Sequence, residues 1–90
     1  MSNYYLEPID TDDVSACDLR RAMDADGACC AWRVRGYRGE YIDMGQAGTL
    51  VVWDDGTAGL EFGADSDWFE TPAGTDGEDA MDIYEETFEA

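Results

Sequence analysis

From Ala28 to Arg35 the chain alternates: Ala28, Cys30, Trp32 and Val34 fall on one side, and Cys29, Ala31, Arg33 and Arg35 on the other. A period of two predicts a strand. Gly36 to Gly39 reads as a turn, Glu40 to Met44 as a second strand, and Gly45 to Gly48 as another turn. Thr49 to Trp53 and Thr57 to Phe62 are strand-like and flank Asp54, Asp55 and Gly56. The Asp-Gly pair suits a two-residue type I′ hairpin turn, which would set Val51, Trp53, Ala58, Leu60 and Phe62 on one apolar face.

Helical spacing marks the two flanks. Asp10 or Thr11 can cap a helix running to about Asp24, with Asp12 and Asp13 in its first turn and Gly27 as its stop. Ala16, Leu19 and Met23 lie at i, i+3, i+7 and form the face turned to the sheet. Before it, residues 3–7 read as a short strand or extended lead-in. After Gly63, a loop over Ala64 to Asp67 leads to Trp68 and Phe69, which anchor a short final strand or plug the core. Beyond Pro72, Gly74 and Gly77, Met81, Tyr84 and Phe88 repeat the i, i+3, i+7 spacing, predicting a short amphipathic helix within Glu78 to Ala90. The fold expected is α+β: an antiparallel sheet of four to five strands with an N-terminal helix and a short C-terminal helix, in one domain spanning residues 1–90.

Composition changes this picture in one respect. The eleven aromatic residues supply enough apolar area for a modest core, so disorder is not the default. The charge, however, is extreme: 22 acids face five Arg and no Lys, for a formal net charge of −17. Solubility asks for a net charge of only about 2–8 in a small domain, and self-repulsion opposes compaction. Arg20, Arg21, Arg33, Arg35 and Arg38 all lie within residues 1–38, alongside seven acids, whereas residues 39–90 carry fifteen acids and no base. Such an asymmetry makes a directed field that steers a basic partner. Arg33 and Arg35 can pair with acids on the strand face or contact the partner directly.

The candidate partner-binding residues follow from that half: Asp54, Asp55, Asp65, Asp67, Glu70, Asp76, Glu78, Asp79, Asp82, Glu85, Glu86 and Glu89. In a regular helix Glu78, Asp82, Glu85 and Glu89 stack at i, i+4, i+7, i+11, with neighbours about 5–6 Å apart. Asp54 with Asp55, Asp65 with Asp67, and Asp76 with Glu78 and Asp79 are expected on projecting turns. Duplex DNA carries one charge per roughly 1.7 Å of axis, so such an array imitates what a nucleic-acid-binding protein reads.

The residues give no support to catalysis. There is no His to titrate near neutrality, and no pair of carboxylates is singled out by its surroundings. Cys17, Cys29 and Cys30 are odd in number and two are adjacent, which fits reduced thiols in a cytosol better than a disulfide or a zinc knuckle. Asp24-Ala25-Asp26-Gly27 starts like a calcium loop, but Gly comes too early and the third ligand position is Ala28. Asp65-Ser66-Asp67 fails at Phe69. No metal, cofactor or direct nucleic-acid contact is expected. The first ten residues lack a basic and apolar leader, and no run approaches the ~20 apolar residues of a membrane helix, so a cytoplasmic protein is expected.

In its size, its charge, its missing Lys and its short acidic stretches, Met23-Asp24-Ala25-Asp26-Gly27 and Gly77-Glu78-Asp79-Ala80-Met81-Asp82, the chain resembles the small acidic phage proteins that inhibit host defences as DNA mimics. These include acidic anti-CRISPR and anti-restriction proteins. The resemblance implies a non-enzymatic inhibitor, acting in the host cytoplasm, that blocks the basic DNA path of a CRISPR-Cas effector complex or a restriction enzyme. The CRISPR complex is favoured because its PAM-reading and channel residues are rich in Arg and Lys. The sequence leaves open an immunity or antitoxin protein that neutralises a basic nuclease. It leaves open also a halophile-adapted domain whose charge has no functional role, and an adaptor module with incidental charge.

Overall fold

A computed structural model describes residues 4–15, 17–37, 47–62 and 65–89. Five strands, β1 (Tyr4–Ile9), β2 (Cys29–Tyr37), β3 (Ala47–Trp53), β4 (Thr57–Phe62) and β5 (Asp65–Glu70), form one antiparallel sheet in the order β1-β2-β3-β4-β5. Helix α1 (Asp18–Asp26) lies between β1 and β2, and α2 (Gly77–Tyr84) follows β5. The expected α+β architecture is the one found. The strand anticipated at Glu40 to Met44 lies outside the described residues. Of the turns placed on either side of it, Gly36 and Tyr37 instead belong to β2 and Ala47 and Gly48 to β3, and the remaining residues lie outside those described.

Alternation along β3 sends successive side chains to opposite faces, and each face carries a helix. Val34, Leu50, Val52, Ala58, Leu60 and Phe69 pack with Ala80, Met81 and Tyr84 of α2. Ala31, Val51 and Trp53 pack with Leu19 and Met23 of α1, and with Val14. Burial on both faces explains the unbroken apolar run Leu50-Val51-Val52-Trp53, since a strand covered on one side only would alternate.

This two-sided arrangement corrects the expected hairpin. Val52 pairs with Ala58 and Leu50 with Leu60, so Ala58, Leu60 and Phe62 share the α2 face with Leu50 and Val52, while Val51 and Trp53 turn to the α1 face. The loop has three residues, Asp54, Asp55 and Gly56, rather than two. The Gly56 amide donates to the Trp53 carbonyl at 3.2 Å, and the Thr57 amide donates to the Asp55 carboxylate at 3.0 Å. A type I′ turn needs positive φ at Asp55 as well, but only Gly56 has it, at +96°. One added loop residue shifts the pairing by one, which exchanges the faces of a whole strand.

The N-terminal helix is also shorter than its pattern. Thr11–Asp13 makes a single 3-10 turn, and α1 begins only at Asp18. Between them Val14 is extended at φ −74°, ψ 122° and buried in the α1-side core, so the chain leaves the helical path to seat this side chain. Arg20 bridges the gap, donating to the Thr11 carbonyl at 2.7 Å. Leu19 and Met23 do face the sheet, Gly27 ends the helix as expected, and Ala16 lies outside the described residues. Where a loop was expected over Ala64 to Asp67, β5 already starts at Asp65. An edge strand open to solvent can be polar at most positions, which hides it from an apolar count.

Candidate acidic interaction surface

The hairpin loop and the end of β5 bring three of the candidate acids to one end of the sheet. Glu70 pairs with Thr57, directly after the Asp54-Asp55-Gly56 loop. The Thr71 amide donates to the Gly56 carbonyl at 2.7 Å, pinning the chain beyond β5 beneath the loop. A Cβ at Gly56 would lie 2.5 Å from the Thr71 carbonyl oxygen, so this close approach needs glycine. Asp54, Asp55 and Glu70 are all exposed there.

Asp65 and Asp67 sit within β5 rather than on a turn tip, and their side chains point to the α2 face, in register with Phe62 and Leu60. Asp65 is exposed. Asp67 is half-buried and accepts a hydrogen bond from the Tyr84 hydroxyl at 3.3 Å, which ties β5 to the end of α2. Its expected projection from a turn is therefore not found.

Asp76 is the N-cap of α2: its carboxylate accepts from the Asp79 amide at 2.9 Å, satisfying one orphan donor of the first turn. Glu78 and Asp79 lie in that turn, where the helix dipole favours them. Asp82 and Glu85 continue the row from Glu78, all three half-buried. At Glu85 the helix widens into a π-type turn through Glu89. The four-residue row assumed a uniform α-helix, and the wider turn rotates later positions away from it. Glu86 is exposed, and Phe88 packs edge-on against Phe69 with ring centroids 6.2 Å apart, also meeting Tyr84 at 5.0 Å. That aromatic contact holds the segment whose fraying the unfavourable dipole end would otherwise promote.

Three of the five Arg pair with acids outside this surface. Arg20 reaches Asp24 at 3.7 Å, Arg21 reaches Asp18 at 3.3 Å and Arg35 reaches Glu7 at 3.0 Å. Arg33 is half-buried and makes no ion pair among the described residues; Arg38 lies outside them. All three bridges therefore join residues of the N-terminal half. Among the described residues no Arg comes within ion-pair distance of Asp54, Asp55, Asp65, Asp67, Glu70, Asp76, Asp79 or Glu86.

The thiols are reduced: Cys17 and Cys29 are half-buried and Cys30 is exposed. Burial, followed by a hydrogen bond with Glu61, pushes the Cys17 thiol above its ordinary value. Burial, followed by the neighbouring Cys30 and Asp54, does the same for Cys29. Both are protonated at neutral pH and poor nucleophiles. Among the described residues no three His, Cys, Asp or Glu side chains converge as a metal site, and no helix is long and apolar enough to cross a membrane.

One feature of the surface was not legible. Trp68 is 42% exposed and stacks on the buried Trp53 with ring centroids 5.4 Å apart. The sequence treats Trp68 and Phe69 alike, but in a strand they point to opposite faces, and only Phe69 enters the core. The available signal was Gly59, which pairs with Trp68: a Cβ there would meet Leu19 at 2.5 Å and the Trp68 ring at 3.3 Å. No protein-family model matches this chain, and no curated protein or solved structure is significantly similar to it.

Proposed function

We propose that this protein is a non-enzymatic inhibitor that offers its acidic surface in place of DNA and blocks the nucleic-acid site of a host defence complex, a CRISPR-Cas effector in the first instance. The observation that carries the reading is the segregation of charge: the bridging Arg residues are consumed by acids of their own half, and the exposed carboxylates at Asp54, Asp55, Asp65 and Glu70 are left for a partner. Carboxylates spaced over a folded surface repel one another, and a basic cleft relieves that repulsion on binding. The same cleft holds DNA through Lys and Arg contacts to phosphates.

The test is displacement. A fluorescent target duplex is bound to a purified effector complex, and release is followed as the protein is added at several salt concentrations. Release is the expected result, with the logarithm of affinity for the complex falling as salt rises, as charge-charge contacts with a basic cleft are screened. A complex that holds the protein and its DNA together, neither weakening the other, rules the reading out. Release of nucleic acid from a basic nuclease, and not from the effector, moves the assignment to an immunity protein.

A further inference from the structure

Among the described residues the sheet ends in two edges with no further strand paired to them, and they are protected differently. β1 carries Pro8, which cannot donate to a further strand, and its register shifts between Tyr4 and Tyr5. Proline and bulges are the usual means of closing an edge. β5 has neither: its six residues, Asp-Ser-Asp-Trp-Phe-Glu, pair with β4 without a register shift and contain no proline.

Ladder alternation identifies the free groups. The Thr71 amide bonds to the Gly56 carbonyl in the same register as the β4–β5 pairs. In an antiparallel ladder hydrogen-bonded positions recur every second residue. Phe69, Asp67 and Asp65 therefore bond inward to β4, and the amides and carbonyls of Ser66, Trp68 and Glu70 point outward. They offer about six hydrogen-bonding groups along the edge.

The side chains select what can dock. Asp65 and Asp67 stand on the α2 face of this edge, and Trp68 and Glu70 on the α1 face. A second copy pairing edge to edge would set acids against acids, which opposes self-association. A strand bearing Arg or Lys on both faces meets a carboxylate on each. On the α1 face it also meets the exposed Trp68 ring, braced from behind by Trp53 and suited to a guanidinium.

We infer that the open edge of β5 is a docking site for an extended basic segment of the partner, which adds to the sheet as a sixth strand. The inference rests on the proposed reading in taking the partner to be basic; its test does not. The full chain, labelled with nitrogen-15, is titrated with a capped peptide of about eight residues in which pairs of Arg alternate with pairs of Val and Thr, so that Arg falls on both faces of the added strand. The control is the same peptide with one Val and one Thr at positions of opposite parity replaced by Pro, which keeps the charge but removes a pairing amide in either register. Slowed amide exchange at Ser66, Trp68 and Glu70 is expected, with binding about fivefold weaker for the Pro-interrupted peptide and for Ser66→Pro, each losing at least one edge hydrogen bond.

Equal binding of the two peptides, protection at β1 or α2 instead of β5, or concentration-dependent protection of β5 in the protein alone would each overturn the inference. The exchange map and the peptide control use the native chain, so they decide the question independently of how Ser66→Pro folds. If the peptide adds to β5 but DNA is not displaced from the effector, the edge site stands and the inhibitory function falls; the reverse pair of results does the opposite.

Discussion

Residues 1–38 and residues 47–89 are both acidic, but they treat charge in opposite ways. In the first, three Arg of α1 and β2 pair with nearby acids, at i,i+3 in Arg21–Asp18, i,i+4 in Arg20–Asp24, and across strands in Arg35–Glu7. In the second there is no base to spend, and Asp76 and Asp55 are satisfied by backbone amides while Asp67 is satisfied by a tyrosine. The contrast teaches that Asp55, Asp67 and Asp76 are held in this fold by hydrogen bonds and not by cations. Hydrogen bonds place three of the carboxylates, apolar layers supply the cohesion, and Asp54, Asp65 and Glu70 remain as external charge.

The strongest way to break the comparison is to neutralise each half in turn. Asp54→Asn, Asp55→Asn, Asp65→Asn and Glu70→Gln together should weaken binding to the proposed effector about a hundredfold and raise the thermal midpoint, since repulsion is removed. Glu7→Gln, Asp18→Asn and Asp24→Asn together should change binding little and lower stability by less than about 1 kcal/mol per pair, because these bridges are exposed. Titration calorimetry and thermal melts read both quantities; equal binding losses from the two sets would erase the distinction.

Stability should be shared across the sheet where binding is not. Leu19→Ala on the α1 face and Met81→Ala on the α2 face each remove a fully buried side chain and should each cost about 2–5 kcal/mol in denaturant unfolding, through one cooperative transition. A two-step transition in either variant would mean that the two faces unfold independently.

Within the acidic half, Asp76 should separate from its neighbours. Asp76→Ala removes the α2 cap and should cost about 1 kcal/mol, whereas Asp79→Asn should be close to neutral for stability. The smallest effect concerns pH. Cys17 and Cys29 bind their protons more tightly in the folded chain than in the unfolded one, so their contribution is complete below the ordinary thiol value of 9.0 and is lost as pH rises through the raised native values. Replacing both with Ser should flatten the decline in midpoint above that value.

Some of this was legible from residue order alone. The β2 alternation, the β4 boundaries, the Leu19–Met23 face, the Gly27 stop and the Met81–Tyr84 face were read correctly, because each depends on spacing within one element. The early end of the N-terminal helix pattern was not: Val14 breaks it to join a buried cluster that includes Val51 and Trp53, residues distant in sequence. The polar strand β5 escaped for the same reason, since it exists by pairing with β4 and not by burying its own alternation.

The sequence by itself determined the amount and sign of the charge, its bias toward the second half, and the absence of any base there, since these are properties of composition and order. Only the tertiary structure decided which carboxylates cap, which bond to Tyr84, which stand exposed, and that Trp68 lies outside while Trp53 lies within. A single residue in the hairpin loop was enough to exchange two faces, and no local pattern fixes that count when both faces of a strand are to be buried.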